Sequence, residues 1–213
     1  MIEVINYQNE YIEKPIEASI AGYYDEVRRL LPGLPEMVKI YFGDYGIMPE
    51  SGVGGYAYSS DIITISLDPD FKDKEKQLNN IRPTIFHEAF HQYQHYTGEG
   101  PRYSAIEGAV YEGMATVFER EHAGVLEPYG DYQQTAVDNL KQWTEDLKKL
   151  GHEYLEDKKI YNAWKFYHPE LKERWIAYKV GTWITDQVLE RQNLSILDLS
   201  DKTAAEVLEL FEK

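Results

Sequence analysis

His87-Glu88-Ala89-Phe90-His91 sets two imidazoles four residues apart with a carboxylate between them. Residues four apart share one face of an α-helix, so His87 and His91 can direct their rings at one ion. Glu88, turned by about 100° from His87, reaches the flank of the same site. This is the zinc-peptidase spacing, in which two neutral imidazoles bind the metal and the glutamate polarises a water on it. The competing reading of the same five residues is a helix whose histidines face solvent or pack in a core.

A catalytic zinc takes a third protein ligand and keeps one position open. Glu112, 21 positions after His91 in Tyr111-Glu112-Gly113-Met114-Ala115, stands on a second predicted helix. The small residue after it lets that helix approach the first closely. Glu107 has a similar Glu-Gly context, but five positions turn it by about 140° from Glu112, so only one of the two can face the metal. His95 continues the four-residue repeat of His87 and His91. Positions eight apart lie roughly 12 Å apart along a straight helix, too far for one ion with bonds near 2 Å, which leaves His95 a supporting or cleft residue. It also falls two positions short of the third histidine of the metzincin pattern, whose glycine is replaced by Gln94, and a metzincin is rejected.

Composition bounds the remaining possibilities. The 213 residues suit one domain, 1–213, read as a sheet with the metal helices over 1–125 and a helical lobe over 126–213. A net charge of −15 and a pI near 4.8 oppose binding to nucleic acid or to anionic membranes. Cysteine is absent, which excludes disulfides, thiolate catalysis and Cys-ligated zinc, so any metal here uses His and carboxylate. The N-terminus lacks a signal-peptide pattern and no stretch approaches a membrane span, giving a cytoplasmic protein as the expectation.

Along the chain, Pro15 opens a helix whose apolar residues Ile16, Ile20, Tyr23, Tyr24, Val27, Leu30 and Leu31 recur at helical spacing up to Pro32-Gly33. Met37 to Phe42 reads as a strand closed by Gly43-Asp44. Residues 51–58 and 61–67 read as a hairpin or meander whose last strand could lie along the cleft, an edge to which a peptide could add as a further strand. Glycines 52, 54 and 55 match neither a dinucleotide fingerprint nor a phosphate loop. Lys72 to Asn80 is a solvated approach with some helical potential, Pro83 opens the His helix, and Thr97 to Pro101 stops it. A glutamate helix spans about Ser104 to His122, capped by Gly124. Beyond Gly130 the pattern is helical throughout. The fold expected is α+β: a small, mostly antiparallel N-terminal sheet with helices, the two central metal helices, and an all-helical C-terminal lobe.

Gly-Gly-Tyr-Ala-Tyr with its strand ending Leu67-Asp68-Pro69-Asp70, the His-Glu-x-x-His helix, the Glu-Gly-Met-Ala helix and Tyr178-x-x-Gly181 together resemble the DUF2268 group of predicted zinc-dependent proteases, which are gluzincin-like. The resemblance covers about residues 20 to 190. It implies a Zn²⁺ metallopeptidase acting on a peptide or protein substrate, with His87, His91 and Glu112 as ligands and Glu88 as general base and acid. Glu112 is preferred over Glu107 on its likeness to the gluzincin glutamate helix. The family pattern also calls for a donor to the developing oxyanion, for which Tyr178 is chosen and His168 is the alternative. Thermolysin-like relatives place an Asp four residues after the ligand glutamate to orient a histidine. Here that residue is Thr116, and Glu119, Asp61 or a backbone carbonyl is expected to substitute. The alternative function is a metal-binding, non-proteolytic module, against which the intact Glu88 speaks.

Overall fold

Ile2–Ile5 (β1), Lys14–Leu30 (α1) and Val38–Gly43 (β2) form the first structural unit of the chain in a computed structural model that describes residues 2–5, 14–43 and 46–213. A strand, a helix and a strand in succession bring the two strands together in parallel, and β1 pairs with β2 in parallel from Ile2↔Val38 to Ile5↔Tyr41. On α1 the residues Ile20, Tyr24 and Val27 are buried, as is Leu31 just after it, the helical stripe expected of them. Asp44, expected to close β2, lies outside the described residues.

Val53–Ser59 (β3) and Ile62–Leu67 (β4) form a hairpin, antiparallel from Val53↔Leu67 to Ala57↔Ile63. Its second strand returns to the interior of the sheet and pairs with β2 in parallel, so the strand order is β1-β2-β4-β3. The sheet is therefore mixed, with two of its three pairings parallel, which corrects the expected mostly antiparallel arrangement. Alternating burial is the same in either pairing, and the choice is made by α1 and by the chain passing outside β4 to build β3 first. The hairpin's edge strand is therefore β3, and not its last strand as expected.

Lys74–Tyr93 (α2) lies against this sheet and is longer than expected. Pro83 sits in its interior. The polar approach is its first half, begun by Asp73, whose carboxylate accepts the Lys76 N–H at 3.0 Å. Proline removes the hydrogen bond to the Asn79 carbonyl. Flanking side chains bond the backbone instead, Asn80 Nδ2 to the Lys76 carbonyl at 2.8 Å and Thr84 Oγ1 to the Asn80 carbonyl at 2.7 Å. The helix ends at Tyr93, before Thr97 to Pro101. That segment turns back on the sheet edge, where Gly98 N–H donates to the Ala57 carbonyl at 2.9 Å and Glu99 N–H to the Tyr58 carbonyl at 3.0 Å.

Two compact units are resolved, residues 1–101 with 121–125 and residues 102–120 with 126–213. The second contains most of Ala105–Ala123 (α3), then Val137–Leu150 (α4), Lys158–Lys165 (α5), Ile176–Gln192 (α6), Ile196–Leu199 (α7) and Ala204–Glu212 (α8), with α6 packed on α4 and α8. It is helical as expected, apart from a two-residue-per-strand hairpin, Tyr167–His168 (β5) with Glu173–Arg174 (β6). Pro169 lies in the hairpin's turn, and Lys172 and Trp175 adopt left-handed backbone conformations at φ 55° and 62°. These breaks hold the start of α6 back to Ile176. Gly124 follows α3 at φ 76°, the capping conformation expected of it. No described helix is long and apolar enough to cross a membrane.

Candidate metal centre

Three side chains of α2 tie it to β3. Gln77 Nε2 donates to the Gly52 and Asp68 carbonyls, both at 2.8 Å, Glu88 Oε2 accepts the Ala57 N–H at 2.7 Å, and Gln92 Nε2 donates to the Ser59 carbonyl at 3.0 Å. From Gly52 to Ser59 a strand advances about 23 Å, and from Gln77 to Gln92 a helix advances almost the same distance. The helix and strand run in step, and Glu88 is held opposite Ala57. Gly55 makes room for it. A Cβ on that residue would lie 2.5 Å from Glu88 Oε1 and 2.6 Å from Thr84 Cγ2. On the same helix His87 and His91 are 5% and 4% exposed, with ring centroids 4.6 Å apart and planes at 86°.

His95 is placed otherwise than expected. It lies past the end of α2, exposed, with φ 57°, so it does not continue the histidine face. Asp61 is also set aside as a histidine-orienting group, because it lies exposed in the β3–β4 turn and accepts a hydrogen bond from Ser59.

α3 begins with a capping box that the letters Ser104-x-x-Glu107 spell out. Glu107 Oε2 accepts from Ser104 N–H at 2.9 Å and from Ser104 Oγ at 2.7 Å, which assigns this glutamate to the helix terminus. Glu112 is buried, with Oε1 2.8 Å from Lys165 Nζ. The small residue after it serves α6. A Cβ on Gly113 would strike the Gly181 backbone, and one on Gly181 would strike the Ala109 carbonyl. This contact puts Tyr178, one turn before Gly181, in the neighbourhood of Glu112: Lys165 Nζ, bonded to Glu112, is 5.6 Å from the Tyr178 ring centroid. Tyr178 is buried against Tyr129 and Trp175. His168 belongs to the β5–β6 hairpin, its ring 5.1 Å from Trp164 and its Nδ1 accepting the Leu171 N–H at 3.3 Å.

Thr116 spends its hydroxyl on the Glu112 carbonyl at 2.8 Å, and its methyl occupies the space beside Gly130. Glu119, seven residues after Glu112 and so on the same face of α3, is buried and accepts the Tyr129 hydroxyl at 2.6 Å. Burial and the Glu119 charge push the Tyr129 phenol well above its ordinary range, so it stays a donor.

His87, His91 and Glu112 each offer a ligand atom, and these atoms lie within 4.8 Å of one another, all on buried residues. Two imidazoles and a carboxylate are donor types that fit zinc, and three is the number of protein ligands a catalytic zinc uses. Over residues 37–209 the chain matches the family model described as "Predicted Zn-dependent protease (DUF2268)". The chain belongs to this family. No curated protein and no solved structure matches it. The DUF2268 match spans β2 through α8 and so contains the two His positions, Glu88, Glu112 and Tyr178.

Alanine at His87, His91 or Glu112 is expected to abolish tight zinc binding, whereas Glu107→Ala keeps the zinc and loses about 1 kcal/mol of stability with its cap. Zinc content after dialysis, with melting curves alongside, separates the two glutamates. Loss of zinc from Glu107→Ala with retention in Glu112→Ala would reverse the assignment.

Proposed function

We propose that this DUF2268 protein is a zinc metallopeptidase in which His87, His91 and Glu112 hold the metal and Glu88 is general base and then general acid. The observation that carries the reading is the buried His87, His91 and Glu112 group with Glu88, next in sequence to His87, fixed by the Ala57 N–H. When bound, zinc acts as a Lewis acid that polarises the scissile carbonyl and makes water nucleophilic at neutral pH. With Glu88 oriented by the Ala57 N–H at Oε2, its carboxylate takes a proton from the attacking water as the C–O bond forms. The same carboxylate returns that proton to the amide nitrogen as the C–N bond breaks. The products are a carboxylic acid and an amine, and Glu88 ends ionised. Tyr178 donates its phenolic O–H to the oxygen on which charge develops. Its placement close to the Lys165 and Glu112 pair supports this role over His168, whose Nδ1 serves the hairpin turn. Glu119 is the carboxylate we assign to orienting a ligand histidine in place of the thermolysin-type aspartate.

A peptide adding to β3 is restricted in register. Ala57 N–H and C=O are taken by Glu88 and Gly98, and the Val53 carbonyl by Met48. Outward-facing residues alternate along a strand, so pairing with substrate falls to Gly55, beside Glu88.

Glu88→Gln is expected to bind zinc as the wild type does and to lose about 10²- to 10⁴-fold in peptide hydrolysis. Gly55→Ala, whose methyl displaces the Glu88 carboxylate, is expected to keep zinc and lose at least roughly tenfold in kcat. Equal turnover by Glu88→Gln and wild type on a peptide library would mean that the cleavage comes from other chemistry. Inactivity of the wild type would favour the non-proteolytic module.

For Tyr178→Phe the ring and its packing remain, so zinc content and melting temperature should hold while kcat falls roughly ten- to a thousandfold with little change in KM. Full activity of that variant transfers the oxyanion role to another group.

A further inference from the structure

Lys165 closes α5, a helix started by Asp157, whose carboxylate accepts the Lys159 N–H at 2.7 Å. Its ammonium lies 2.8 Å from Glu112 Oε1, with the two side chains 16% and 7% exposed. Tyr161 and Tyr178 present their rings to the same ammonium, at 5.4 and 5.6 Å from Nζ to the centroids. Tyr154 completes the surroundings: burial pushes its phenol up, and the Lys165 charge pulls it the other way. The cation thus stands in an aromatic cage, directly on a carboxylate that the proposed function gives to the metal.

Charges taken out of water persist only when closely paired. With no metal present, the buried Glu112 carboxylate is stabilised by Lys165. A dication at the same carboxylate reverses the sign of what the ammonium contributes. It is then a like charge a few ångströms away, and at equal distance a doubly charged ion feels it twice as strongly as the single carboxylate does. A weaker opposing contribution is the orienting hydrogen bond to Oε1, which favours the ligand geometry.

We propose that Lys165 is a built-in competitor for the metal: it stabilises the metal-free protein by neutralising Glu112 and holds the zinc affinity of the centre below what its three ligands would otherwise give. The proposal rests on the metal-centre reading above. Its consequence is a centre whose metal loading follows the free zinc concentration, with the empty protein remaining folded.

The test compares wild type with Lys165→Met and Lys165→Gln, which remove the charge, and with Lys165→Arg, which keeps it. Zinc affinity is measured at pH 8 by competition with a chromophoric chelator, and melting curves are recorded without metal. Both neutral variants should bind zinc roughly ten- to a hundredfold more tightly and melt lower when metal-free. Lys165→Arg should stay within about threefold of wild-type affinity, below the roughly tenfold at which outer-sphere effects begin. Unchanged or weaker zinc binding by the neutral variants overturns the proposal while leaving the metal centre standing. So does an arginine variant as tight as the neutral ones. Neutral variants unfolded both with and without zinc also overturn it, since Lys165 would then be a structural residue. A wild type that binds no zinc overturns both this inference and the reading beneath it.

Discussion

The hydrogen bond from Ala57 N–H to Glu88 is the constraint on which the proposed chemistry depends. A glutamate side chain has three rotatable bonds and an ionised carboxylate, and without a fixed donor it would distribute over several rotamers. The donor is fixed because α2 and β3 are tied above and below it, by Gln77 at Gly52 and Gln92 at Ser59. Tyr24 of α1 extends the lower tie by donating to Gln92 Oε1 at 3.0 Å. The carboxylate can therefore be presented with one oxygen held and the other directed toward Gly55, where only a glycine leaves room. Preorganisation of this kind avoids rearranging the base during reaction.

The second unit has its own fixed point in the crossing of α3 and α6. Gly113 and Gly181 allow backbone against backbone, which any larger residue would prevent. Glu112, the proposed ligand, and Tyr178, the proposed oxyanion donor, flank that crossing, one residue before Gly113 and three before Gly181. Lys165 reaches the same place from the end of α5. Each of these side chains is thus set by a helix terminus or a helix crossing, and none sits on an open loop. Positions so built are suited to the sub-ångström tolerances of catalysis.

Much of this was legible in the sequence, for identifiable reasons. His87, Glu88 and His91 are local, and helical periodicity alone relates them. The glutamate helix and its Gly124 cap were readable from an apolar stripe and one glycine. Pairing in the sheet was not, because period-two burial in β2 and β4 looks the same whether neighbours run parallel or antiparallel. Pro83 read as a helix start, since nothing local reveals that Asn80 and Thr84 bond the backbone around it. Ser104-x-x-Glu107 carried a capping-box signal that would have settled Glu107 without any structure. Lys165 and the role of Gly181 were out of reach, because each acts on a residue more than fifty positions away.

The most direct test of the account is zinc K-edge absorption on protein without a histidine tag, after exposure to one equivalent of zinc. The account predicts about one zinc per chain with two imidazole nitrogens and carboxylate oxygen in its first shell, at roughly 2.0–2.2 Å. Absence of zinc after exposure to a stoichiometric amount, or a bound zinc with fewer than two imidazoles, would contradict it.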